Sequence, residues 1–229
     1  MEALDPVASG CLTSLRGLDG AGRASRSGAA RRTILPMDDA RSTPGLASPA
    51  NPWQRLARRT AYENPWITVW EDQVIRPDGH PGIYGVVHFV HRAVGVVPLD
   101  VSGRVLLVGQ WRYVLDAWSW EIPEGGARPD EDPLEAARRE LAEETGYTGG
   151  RWREAVRAHL SNSVSDEEAM VWVADRLEPG VAAPEGTEQL ELRWVDFDDA
   201  LAMCRDGRIT DAMSVLGIQA AALDPQLRA

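Results

Sequence analysis

The chain has 229 residues, room for one sizeable domain or two small ones, and its 44% hydrophobic content is that of an ordinary globular protein. A formal net charge of -11 leaves no overall cationic surface to draw in nucleic acid or an anionic membrane. All 24 basic residues are arginine, so Schiff-base and lysine-cradle phosphate chemistry are excluded, and phosphate contacts fall to arginine, backbone N–H groups or metal.

Residues 1 to about 50 are rich in Gly, Ala, Ser and Arg and keep no helical or strand period, which predicts an unstructured arm. Its first 36 residues hold five Arg against three acids, weakly resembling a transit peptide; the other reading is an upstream start codon, with Met37 the true beginning. The second is preferred because no stretch there has a convincing apolar face. Cys11 lies in this arm and Cys204 in a segment of very different character, so both read as free thiols in a reducing, cytoplasmic setting.

The texture changes at Trp53. Trp66 to Trp70 and Ile83 to Val90 are rich in β-branched and aromatic residues and flank the turn formers Pro77 to Gly82, which predicts an N-terminal hairpin within residues 51–92. Further strands are expected over Ala93 to Leu99, Arg104 to Gln110, Ala169 to Ala174 and Leu190 to Val195, in a mixed sheet. The apolar run Ala93 to Leu99 is far short of the roughly 20 residues that cross a bilayer. Helices are expected over Pro133 to Glu144, stopped by Gly146; over Phe197 to Arg205, with Asp196 as N-cap; and over Asp211 to Leu223, with Thr210 as cap. Strands with interspersed helices imply one α/β domain with helices layered on a sheet, covering residues 93–229.

The chemistry is concentrated in Gly125 to Tyr147. On a helix, Glu140, Glu143 and Glu144 stand at i, i+3 and i+4 and share one face. Each like-charged pair costs roughly 0.2–0.5 kcal/mol in an isolated helix, a penalty that a divalent cation removes. Carboxylate oxygens with no nearby His or Cys select Mg²⁺, with Mn²⁺ able to substitute, over zinc. Glu131 falls near the positive end of the helix dipole, and Arg139 can pair with it or with another carboxylate. Gly125 and Gly126 let the backbone turn tightly, so that the Glu124 carbonyl can approach the same metal. An acidic surface helix would account for the charges, but not for the glycines or the fixed Arg-Glu and Glu-Glu spacings.

Gly, five residues, Glu, seven residues, Arg-Glu, an aliphatic, any residue, Glu-Glu, any residue, Gly and a hydrophobe is the Nudix box, and Gly125 to Tyr147 resembles it throughout, with Tyr147 the loose position. The resemblance implies a Nudix-type α/β/α sandwich. It also implies that Glu140, Glu143 and Glu144 are metal ligands, with Glu131 and Arg139 supporting them and Gly146 closing the motif.

The flanks are similar to the ADP-ribose and nucleotide-sugar pyrophosphatase branch, where a Gln-aromatic-Arg segment and a Glu-aliphatic-Pro segment precede the box; here they are Gln110-Trp111-Arg112 and Glu121-Ile122-Pro123. Arg112 can contact a phosphate or a terminal sugar, and Glu121 a ribose hydroxyl or a metal. Trp111, Trp118 and Trp120 offer faces for a purine, although core packing is the better expectation for any one of them. The loop Ser161 to Glu168 resembles the branch's post-box loop and makes Glu167 the expected general base, with loop closure excluding water. The branch also implies a homodimer built through N-terminal strands. A Pro that helps to mark ADP-ribose-specific members is absent between Pro133 and Pro179, which widens the expected substrate range. The expected activity is Mg²⁺-dependent hydrolysis of ADP-ribose or a related nucleoside diphosphate sugar. A sensor that binds such a ligand without turnover, and a housecleaning triphosphate pyrophosphatase, are the alternatives.

Overall fold

The computed structural model of the chain describes residues 50–183 and 189–229, and the unit Arg55–Ala229 is the one that carries the site. The expectations for the arm, including Cys11 and Met37, lie outside the described residues. Strands β1 (Gln54–Glu63), β2 (Ile67–Ile75) and β3 (Pro81–Phe89) form one sheet in that order. The predicted hairpin is β2–β3, registered antiparallel from Ile67↔Phe89 to Ile75↔Pro81. Asp78 accepts the His80 N–H at 3.0 Å within its turn. No strand was expected at β1, because all ten of its residues are exposed and show no apolar alternation. It is held instead by polar side chains: Arg58 binds both oxygens of Asp72 at 2.7 Å and lies 3.9 Å over the Trp70 ring, which stacks on His88 at 4.7 Å.

A four-stranded sheet runs in the order β7 (Glu124–Ala127), β4 (Arg92–Pro98), β9 (Glu168–Glu178), β8 (Thr148–His159); β4 and β9 are parallel and the outer pairs antiparallel. The strand period of two divides its residues cleanly. Val94, Met170 and Trp172 pack with Ala136 and Ala137 of α1 (Pro133–Thr145), and Val96 and Ala174 with Leu141. The alternate residues Val97, Val171 and Val173 join Phe197, Met203, Met213 and Ile218 of α2 (Phe197–Asp206) and α3 (Ala212–Leu223). Both faces of the sheet are therefore covered by helices, as the α/β/α sandwich requires. A third sheet, β10 (Glu191–Val195), β5 (Val105–Arg112) and β6 (Ala117–Glu121), is antiparallel throughout.

The helix ends follow from local chemistry. Asp132 caps α1 by accepting from the Leu134 and Glu135 N–H groups at 2.9 and 3.3 Å, and Pro133 occupies the first turn, where its missing N–H costs nothing. Gly146 ends the helix at φ 77°, and a Cβ there would also lie 2.7 Å from the Ala182 nitrogen. One sequence expectation is corrected, the cap of α3 being Asp211 rather than Thr210; Asp196 stands at the N-cap of α2 as expected, without a side-chain capping bond. Strands β6, β7 and β8 had no counterpart in the sequence reading, and the two box glycines lie within β7 rather than in a loop.

Candidate active site

Helix α1 lays its acidic face along β7. Gly125 lets it come close: a Cβ at that position would lie 2.2 Å from the Glu140 Cδ, far inside contact distance. Glu140 Oε1 then accepts the Gly126 N–H at 3.2 Å, and Glu144, only 4% exposed, accepts the Glu124 N–H at 3.2 Å. Burial is the main cause that raises the Glu140 carboxyl above its ordinary value, against the pull of Arg139. Among the described residues no three such side chains form a ready-made metal cage, and the box carboxylates have backbone or arginine partners. The donor set nonetheless suits a hard divalent ion: carboxylates on one helix face, with Glu144 buried and Glu140 and Glu143 partly so, beside a strand whose glycine offers them no side-chain obstruction.

Arg139 organises the set. Its guanidinium reaches Glu131 Oε1 at 3.1 Å, Glu140 Oε1 at 2.8 Å, Glu143 Oε2 at 3.0 Å and the Gly126 carbonyl at 3.0 Å. Glu131 also accepts the Arg128 N–H at 3.1 Å, and the hydrogen bond from Arg139 is the largest cause holding its carboxyl below the ordinary range. One arginine thus joins the two ends of the box through four acceptor residues.

The residues upstream form a second polar cluster. Arg112, for which the sequence suggested a phosphate or terminal-sugar contact, has its Nε on Glu121 Oε1 at 2.9 Å, and its Nη2 on Glu121 Oε2 and, at 2.9 Å, on Glu124 Oε1. Gln110 also donates to Glu121, at 3.3 Å, and Glu121 is 2% exposed. Trp111 and Trp118 are 60% and 44% exposed, which corrects the core-packing expectation for both; Trp120 packs on the core and meets Trp118 edge to face at 6.0 Å.

Asp211 is the acidic residue that the sequence reading did not place here. Glu124 Oε2 is buried without a hydrogen-bond donor among the described residues. Burial, then the charges of Asp211 and Glu121, push the Glu124 carboxyl well above the usual range, against the pull of Arg112. Asp211 also bears on Glu167, whose carboxyl is raised first by burial and then by that charge. The one local signal for Asp211 was its place at a helix start, which by itself indicates only capping.

The loop before β9 is docked rather than open. Val87 of β3 donates to the Val164 carbonyl at 2.8 Å, Phe89 N–H donates to Asp166 Oδ1 at 3.0 Å, and His88 Nδ1 lies 2.6 Å from Asp166 Oδ2. Tyr84 adds a bond to the Ser163 carbonyl at 2.7 Å. The N-terminal sheet therefore carries the loop in which Glu167 sits.

A glycine strand thus lies under an acidic helix inside an α/β/α sandwich. Residues 90–213 match the NUDIX domain, and residues 53–87 match the nucleoside diphosphate sugar hydrolase N-terminal domain. The chain belongs to the Nudix family and is a pyrophosphohydrolase. It is 30% identical over 171 residues to the CMP-5'-(N-acetyl-N-hydroxy-3-aminopropyl)phosphonate hydrolase of Streptomyces rubellomurinus, covering 73% of this chain and 81% of that protein. To the ADP-ribose pyrophosphatase of Bacillus subtilis it is 28% identical over 176 residues, covering 76% and 95%. A crystal structure of an ADP compounds hydrolase superposes with a TM-score of 0.71 at 20% identity, over 80% of this chain and all of that one, and so shares the fold.

Proposed function

We propose that the protein hydrolyses the diphosphate bond of ADP-ribose or a related nucleoside diphosphate sugar with Mg²⁺, giving a nucleoside monophosphate and a sugar phosphate. The observation that carries this reading is the convergence of Glu140 and Glu144 on the Gly125 strand, with Arg139 spanning Glu131, Glu140 and Glu143. Glu140, Glu143, Glu144 and the Glu124 carbonyl would hold the metal, with Mn²⁺ able to replace Mg²⁺. When bound, the ion neutralises diphosphate charge and lowers the pKa of water.

The chain's own groups do the rest. Arg139 keeps the ligating carboxylates apart and aimed, and the docked loop presents Glu167 as the proton acceptor. Trp118, exposed beside the Arg112–Glu121 cluster, supplies an apolar face for the base. Arg112 and Gln110 act by fixing Glu121 and so the strand that leads into the box. The relative named as a hydrolase of a CMP-linked phosphonate supports a nucleotide site that is not restricted to adenine.

The exposed edge strand β1 fits a homodimer in which the N-terminal sheet meets its copy, and light scattering that gives a monomer mass would overturn that part. No described helix is long and apolar enough to cross a membrane, in keeping with a cytoplasmic site of action. The decisive assay is turnover of ADP-ribose, ADP-glucose, GDP-mannose, NADH and diadenosine polyphosphates with Mg²⁺. Cleavage of a nucleoside diphosphate sugar at its diphosphate is expected, and binding without cleavage of any of them would replace this reading with a sensor.

A further inference from the structure

Between β6, which ends at Glu121, and β7, which begins at Glu124, the chain passes from one sheet to another. A backbone N–H at such a crossover has left one ladder before entering the next, and when buried it needs another partner. Pro123 has no N–H, and its carbonyl accepts from Val96 at 3.0 Å. Ile122, 1% exposed, donates instead to Ser214 Oγ at 2.9 Å, a side chain 92 residues further on and 0% exposed.

Ser214 is itself held. Its hydroxyl donates to Asp211 Oδ2 at 2.8 Å, and its N–H donates to the same oxygen at 2.7 Å. With its single proton turned to Asp211, the hydroxyl can present only a lone pair to Ile122, so the bond runs in one direction. The crossover so fixed lies directly between two working groups: Glu121, which binds Arg112, and Glu124, whose N–H binds Glu144.

We propose that Asp211 and Ser214 are positioning residues that brace the Glu121–Glu124 crossover from the first turn of α3 and so set the strand on which the box carboxylates rest. The brace follows from the hydrogen bonds alone; its effect on turnover rests on the function proposed above.

Amide hydrogen exchange in the metal-free protein reads the brace directly, followed by Mn²⁺ binding measured by paramagnetic resonance and by kcat and KM. Ser214→Ala is expected to speed exchange of the segment Glu121–Gly126 about tenfold, the size of one lost buried hydrogen bond. Mn²⁺ affinity and kcat are expected to fall while KM changes little, and Ser214→Thr, which keeps the hydroxyl, is expected to restore all three. Asp211→Asn keeps a capping oxygen but can offer an amide N–H in its place, and is expected to speed the same exchange by a smaller factor. Unchanged exchange in both Ser214→Ala and Asp211→Asn would overturn the proposal, as would acceleration spread evenly through β4 and β5. If exchange responds as expected but the wild type cleaves none of the substrates, the brace stands and the functional reading fails.

Discussion

Glu140 and Gly125 meet with no space for another carbon: a Cβ on Gly125 would lie 2.4 Å from Glu140 Oε1 as well as 2.2 Å from its Cδ. Any side chain at position 125 would thus have to push the Glu140 carboxylate aside. Gly125→Ala is expected to displace Glu140 by about an ångström and lower kcat by about 10²-fold, the usual effect of such a misplacement. Steady-state kinetics beside far-UV circular dichroism will check it; full activity would show that Glu140 does not work from this position.

Glu144 combines 4% exposure with a hydrogen bond from the Glu124 N–H. Glu144→Gln keeps an acceptor for that amide and removes the charge. Turnover is expected to fall by about 10²–10³-fold, the range for removing one preorganised electrostatic contact, while the melting temperature hardly moves. Near-normal turnover would remove Glu144 from the metal set.

The Glu131–Arg139 pair predicts a pH-dependent stability. Because the folded state holds Glu131 below its ordinary value, its contribution is present above the unfolded carboxylate pKa of about 4.3 and is lost as pH falls through the folded value. Glu131→Gln should therefore melt lower than wild type at neutral pH, with the two curves converging in acid. An unchanged gap at low pH would contradict the linkage.

Burial and Asp211 raise the Glu167 carboxyl, and a general base works in its deprotonated form. The acid limb of kcat/KM should accordingly lie above the ordinary glutamate range, with activity rising as pH rises through it. Glu167→Gln should remove that limb and lower kcat by about 10²–10⁴-fold. Retention of the limb in the variant would assign it to another carboxyl, with Glu124 the nearest alternative.

Legibility followed the range of the interactions. The α1 capping sequence, the shared face of Glu140, Glu143 and Glu144, and the apolar alternation of β4 and β9 are all visible within a few residues of chain. Strand β1 was missed because its stabilising partners are an ion pair and an arginine–tryptophan stack rather than a buried face. Strand β7 was missed because two adjacent glycines signal a turn locally, whereas here they lie in a strand and Gly125 faces the Glu140 side chain of α1. The partners of Arg112 were not legible because Glu121 and Glu124 are nine and twelve residues on.

The sequence by itself determined the chemistry, since the box is one helix and its lead-in and the spacing of its carboxylates is a property of helical geometry. Only the tertiary structure decided how that chemistry is held: that Glu140 rests on Gly125, that Asp166 is pinned to β3, and that Asp211 and Ser214 reach Ile122 from the last helix. Those contacts join residues up to 92 positions apart, and no local period encodes them, because they exist only once the packing of sheet and helices has closed the distance.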